Sequence, residues 1–172
     1  MKTLIIYFSR ADENYGVGYI EKGNTEVIAE YIKEFTGGDM FKVERKKPYP
    51  KEYIKCIKDA KEEQDGGLMP ELVDYLTDIK DYDVVYVGTP IYWGGMPIPL
   101  LHQLSLLDFT GKKVRIFTTH EGSGIGNVLK EAKLYCTGGE IDPIAIGIQG
   151  SLVKKVKDQV KEWVNRWYYE LI

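Results

Sequence analysis

Cysteine and histidine are scarce in this sequence, with two of each among 172 residues. Cys56 and Cys136 lie far apart, which excludes a disulfide framework and a zinc site built on cysteine spacing. Two reduced, structural thiols are the expectation. Long apolar runs are also missing: nothing approaches the ~20 residues a membrane-spanning helix needs. The opening "MKTLIIYFSRADEN" has only a short apolar run with charge directly behind it, too brief for a signal-peptide core. It reads as a first strand, and the cytoplasm is the expected location.

Surplus charge of one sign is absent too. Twenty-three basic residues face 26 acidic ones, a net charge of -3, and the lysines are interleaved with acids. That distribution gives no nucleic-acid footprint. Two phosphate motifs are missing as well. There is no G-x-x-x-x-G-K-[ST] loop, and Gly16 and Gly18 do not extend to a G-x-G-x-x-G fingerprint. No linker, repeat or low-complexity segment interrupts the chain. Its 44% hydrophobic and 28% charged content is that of an ordinary globular protein, and residues 1–172 are expected to form one domain with a two-sided core.

What is present is a succession of short apolar runs and amphipathic segments. Thr3 to Phe8, "DVVYVG" (Asp83 to Gly88), "KVRIFTT" (Lys113 to Thr119) and "PIAIGI" (Pro143 to Ile148) are apolar without alternation. Such strands are buried on both faces, as in a parallel sheet covered by helices. "DMFKV" (Asp39 to Val43) is a weaker fifth strand, placed nearer an edge. Between them, Val27, Ile28, Tyr31, Ile32 and Phe35 recur at helical spacing and Gly37-Gly38 supplies a stop. Tyr53, Ile54, Ile57 and Ala60 mark a second helix, and "PELVDYL" after Pro70 a short helical turn. Further helices are expected after Pro97, after Gly126 and from about Ser151. In the last, Val153, Val156, Val160, Trp163, Val164, Trp167 and Leu171 share one stripe that reads as core packing. Five β-α units with right-handed crossovers give a three-layer α/β/α sandwich around a five-stranded parallel sheet.

Ligands of such folds bind beyond the carboxyl ends of the strands, so three loops matter. The first, Ser9 to Thr25, leads into a helix N-terminus that suits an anion. Ser9, Asn24 and Thr25 are candidates for phosphate oxygens and Arg10 adds charge, although Asn24 can also serve as a plain helix cap. The second is "YVGTPIYWGGMPIPL". Pro90, Pro97 and Pro99 stiffen it, Tyr92 and Trp93 offer aromatic faces, and one of these two is expected to fold back as core. The third, "TTHEGSGIGN" (Thr118 to Asn127), leaves backbone N–H groups bare, with His120 and Glu121 at the same mouth. His120 suits a ligand-edge contact or solvent exposure better than catalysis, and His102 reads as structural.

"YFSR…GNT", "KPYPKEY", "YDVVYVGTPIYWGGMPIP" and "TTHEGSGIGN" together resemble the flavodoxin family over the whole chain, as a short-chain member. The resemblance implies strand order 2-1-3-4-5 and FMN at the point where that order reverses. It implies that Ser9, Asn24 and Thr25 hold the FMN phosphate. Thr89, Pro90, Ile91, Tyr92, Trp93 and Gly94 would line the isoalloxazine, and Thr119, His120, Glu121, Gly122 and Ser123 its other edge. One departure stands out: residues from Arg10 to Gly23, including Tyr15 and Tyr19, intervene where ordinary flavodoxins run straight on. That insertion can cap the cofactor, bind a partner or loop into solvent.

Two functions follow from the resemblance. The favoured one is an FMN-binding electron carrier that docks redox partner proteins, with no nucleic acid or membrane involved. The alternative is an NAD(P)H-dependent flavin oxidoreductase that reduces a quinone or similar acceptor. Gly94 or Gly95 turning a carbonyl toward the flavin edge favours the carrier, while the small net charge weakens it. A phosphorylatable receiver domain shares the topology but needs acidic strand ends where this chain has Ser9 and Thr89.

Overall fold

The computed structural model describes residues 1–170, with side chains through residue 166. Its strands and helices run β1 (Thr3–Tyr7), β2 (Asp12–Asn14), β3 (Gly18–Ile20), α1 (Asn24–Thr36), β4 (Asp39–Lys42), α2 (Tyr53–Gly66) and β5 (Val84–Pro90). They continue α3 (Ile98–Ser105), β6 (Lys113–His120), α4 (Val128–Tyr135), β7 (Glu140–Ile141), β8 (Ile146–Gln149) and α5 (Lys157–Glu170). A 3-10 turn at Gly150–Lys155 precedes α5. The main sheet is parallel, ordered β4-β1-β5-β6, with β7 and β8 both beside β6. Counting β7 and β8 as one interrupted strand gives the expected order 2-1-3-4-5.

The apolar strands feed two cores. Along β1, Leu4 and Ile6 enter the layer shared with α2, α3 and α4, whereas Ile5 and Tyr7 enter the layer under α1 and α5. Alternation of side chains across the pleat requires this split, so a strand covered on both sides is buried on both faces. Trp163 packs edge-on against Tyr86 at 5.7 Å between centroids, as core. The Trp167 side chain and Leu171 of the expected stripe lie outside the described residues. No described helix is long and apolar enough to cross a membrane.

Several local expectations are corrected. The strand expected at Pro143 to Ile148 begins only at Ile146, and a separate short strand precedes it at Glu140–Ile141. Pro143 has no N–H to give a ladder, and Asp142 turns its carboxylate to the fully buried Arg115, 2.9 Å away. "PELVDYL" is extended instead of helical: the amides of Lys46 and Val73 donate to the carbonyls of Glu71 and Glu44. The Gln103 side chain then brackets Leu76, accepting from its amide and donating to its carbonyl at 2.9 and 2.8 Å. These cross-chain partners replace the hydrogen bonds a helical turn would make within itself. In α2 the buried face is Cys56 and Ala60, leaving Ile54 exposed. His102, as expected, is structural, with Nδ1 2.7 Å from the Pro70 carbonyl.

Candidate functional site

A cavity of about 330 Å³ opens where β1, β5 and β6 end. β1 and β5 are adjacent, but the chain leaves β1 for the edge strand β4 before returning through β5. The connections therefore diverge there and leave a crevice. Arg10, Asn24 and Thr25 line it from the first loop, Pro90 to Gly94 from the second, and Thr119, His120, Glu121 and Ser123 from the third. Ser9, Thr89 and Gly122 do not line it.

The first loop presents a helix end. Asn24 is inside α1, not its cap; the cap position belongs to Gly23, with no side-chain bond. Ser9 supplies the missing acceptor instead, its Oγ taking the Glu26 amide at 3.0 Å, and the Gly23 carbonyl takes that of Val27. Helix geometry leaves the preceding amides without intrahelical acceptors. Those of Asn24 and Thr25 meet no acceptor among the described residues, so both remain to bind an anion. The buried Thr25 hydroxyl shares a 2.7 Å bond with Thr119 from β6, tying the two loops together. Arg10 faces the cavity, yet its guanidinium donates to the backbone carbonyls of Glu13, Pro50 and Lys51.

In the second loop, Tyr92 folds back and Trp93 does not. Tyr92 meets Phe8 and Tyr49 edge-on at 5.8 and 5.9 Å, and its hydroxyl accepts from the Cys56 thiol at 4.0 Å. Burial raises the pKa of the Tyr92 phenol and the Cys56 thiol alike. Both stay protonated at neutral pH. Trp93 is half exposed; its indole Nε1 donates to the Ile57 carbonyl at 2.8 Å, and Lys61 sits 5.5 Å from its ring centroid. Thr89 points away, donating to the Pro90 carbonyl at 2.6 Å.

The backbone of this loop is locked. Tyr92 and Gly95 exchange both hydrogen bonds, and Trp93 and Gly94 between them have φ of 50° and 84°. Positive φ at both central residues is the pattern of a type I′ turn. The Gly94 carbonyl accepts from the Asn127 amide at 2.8 Å, and Glu131 accepts from the Met96 amide at 2.8 Å. A Cβ on Gly126 would lie 2.3 Å from the Gly94 oxygen, so only glycine permits that approach. Both glycine carbonyls are thus engaged within the protein in this structure, and turning either toward a ligand requires breaking one of these bonds.

The third loop supplies edge groups. His120 Nδ1 accepts from the Gly122 amide at 3.0 Å, which places the proton of the neutral ring on Nε2. Burial lowers the His120 pKa and so favours that neutral form. Gly122 has φ of 110°. Glu121 has its pKa raised by burial, with the Gly150 amide acting in the opposite direction.

Six further residues wall the cavity: Asn14, Tyr15, Tyr53, Cys56, Ile57 and Ala60. The last four lie on α2. Small residues one turn apart, Cys56 and Ala60, were the only sequence signal that this helix leaves space on its inner face.

The family model described as Flavodoxin matches residues 2–167, and the chain belongs to that family. Among solved structures, one from Bacteroides uniformis named "putative flavoprotein" is 26% identical, with TM-score 0.74, over 95% of this chain and 97% of that one. A Lactobacillus acidophilus flavoprotein in complex with FMN is 22% identical, with TM-score 0.61, over 90% and 97%. A Fusobacterium nucleatum flavodoxin bound to flavin mononucleotide is 14% identical, with TM-score 0.56, over 99% of each chain. No curated protein matches the chain.

Proposed function

We propose that this chain binds one FMN in the cavity and acts as an electron carrier between redox partner proteins in the cytoplasm, as a single domain. The observation that carries the reading is the convergence of a helix end with two open amides, an aromatic wall and a polar edge on one crevice. The donors and acceptors fit that cofactor. Asn24 and Thr25 offer amides to a phosphate, and the α1 dipole favours its negative charge. Trp93 provides an indole face for a flat ring. His120 offers Nε2–H to a carbonyl-like edge. The Glu121 carboxylate lies against Gly150, whose amide is its neighbouring donor, and its remaining acceptor capacity suits a ribityl hydroxyl or a ring imide N–H.

Bound FMN supplies reversible electron acceptance; the chain binds, orients and shields it. Related folds serve both carriers and enzymes, so the fold cannot choose between them. One observation favours the second reading, an NAD(P)H-dependent oxidoreductase for quinone-like acceptors. The carbonyls of Gly94 and Gly95 are both engaged, which makes the peptide turn expected of the carrier more costly. The deciding experiment adds NADH or NADPH, with and without a quinone, to FMN-loaded protein. A carrier oxidises them more slowly than about one per second, whereas sustained turnover at tens per second is enzymatic and overturns the carrier reading.

A further inference from the structure

The insertion carries an aromatic residue into the cavity. Residues 10–22 form a small hairpin in which β2 and β3 pair antiparallel, Asp12 opposite Ile20 and Asn14 opposite Gly18. It does not wave in solvent. Arg10 fastens its base to the carbonyls of Pro50 and Lys51 at 2.8 and 2.7 Å, and the Glu13 amide donates to Lys51 at 3.3 Å. Inside the turn, Asn14 Nδ2 donates to the carbonyls of Arg10, Ala11 and Asp12. The hairpin is thus pinned to the segment that leads into α2.

From that base Tyr15 reaches Tyr53, the first residue of α2, with ring centroids 5.7 Å apart and planes tilted 38°. Both rings line the same cavity as Trp93 and His120. Tyr15 nevertheless remains 62% exposed. A bulky ring, held beside a second ring on a fastened arm and left largely uncovered, is apolar surface waiting for a flat partner. Tyr19 provides the contrast. It is 67% exposed on the same hairpin but has no place in the cavity lining.

We propose that Tyr15 and Tyr53 form a second aromatic wall for the tricyclic ring of the flavin, so that the insertion is a cofactor-binding element and not a partner-docking loop. The proposal rests on the FMN reading above. It assigns the ring, not the phosphate, to the hairpin, because the phosphate donors belong to α1 while the hairpin offers the cavity Asn14 and an aromatic face. It also assigns Arg10 a positioning role: its guanidinium is spent on backbone carbonyls that hold Tyr15 in place.

The test compares FMN, riboflavin and lumiflavin, which share the ring but differ in phosphate and ribityl chain. Affinities are read from quenching of flavin fluorescence for the parent, Tyr15→Ala, Tyr15→Phe and Tyr19→Ala. Tyr15→Ala is expected to weaken all three ligands by a similar factor, about tenfold, with Tyr15→Phe close to the parent and Tyr19→Ala unchanged. Unchanged binding in Tyr15→Ala overturns the proposal, as does a loss confined to FMN, which would place the hairpin at the phosphate. Failure of the parent to bind any flavin overturns the FMN reading itself, and this assignment with it. Equal loss in Tyr19→Ala means the hairpin acts through its fold and also contradicts the assignment.

Discussion

Two loops wall one cavity and are fastened by opposite means. The 92–95 turn is built into the core: its carbonyls are taken by its own strand ends and by α4, and Trp93 is held at positive φ. The hairpin at 12–20 is held at its base by the Arg10 guanidinium and the Glu13–Lys51 backbone bond. The difference separates two jobs that a cofactor site needs. On the proposed reading, the locked turn would fix one face of the flavin ring, and the tethered hairpin would supply the other and influence how fast the ring leaves. Mutations should divide in the same way.

The largest effect is expected at the lock. Gly126→Val places a branched side chain at φ 52° against the Gly94 oxygen. It should cost ~2–4 kcal/mol of stability in urea unfolding, with weakened FMN binding. Unchanged stability would mean that the turn is not held by α4. Next comes Trp93→Ala, which keeps the backbone strain but removes the indole. FMN affinity should fall roughly tenfold to a hundredfold. Trp93→Gly should bind as poorly as Trp93→Ala while being more stable, because glycine adopts positive φ without strain. Equal stability of the two variants would remove strain from the account.

Arg10→Gln sharpens the other side of the comparison. The arm loses its main tether, so FMN should dissociate several-fold faster in stopped-flow displacement. The thermal midpoint should move by only a few degrees, since no core contact is lost. A collapse in stability would make the hairpin part of the core. The smallest effect is the titration of His120. Its pKa is lowered by burial, so neutral His120 contributes stability that is complete above about pH 6.5 and is lost as pH falls through the lowered value. An NMR titration of the ring, assigned with His120→Gln, should give a midpoint below 6.5. A midpoint above it would contradict a partly buried ring held neutral.

The sheet and α1 were legible because burial on both faces and a helix ended by a left-handed glycine leave local marks. Ile5, Val85 and Ile116 are buried outright, and Gly37 has φ of 68°. The three loops were legible for a related reason: they follow strands whose ends the apolar runs define. What escaped depends on partners distant in sequence. The 70–76 segment is extended because Glu44 and Gln103 complete its hydrogen bonds. Asn24 reads as a cap until Ser9, at the far end of the same loop, is seen to supply the acceptor. The break in the last strand depends on Arg115, whose guanidinium also sits 4.0 Å from the Trp163 ring centroid. The α2 wall escaped because a stripe of Tyr53, Ile57 and Ala60 looks the same whether it faces core or cavity.

The most direct test is a titration of the parent chain with FMN, followed by flavin fluorescence and by the visible spectrum. The account predicts saturable quenching at one FMN per chain with micromolar or tighter affinity, and an absorption band altered by the aromatic wall. Free-flavin fluorescence persisting at tens of micromolar protein, with an unaltered spectrum, would contradict it.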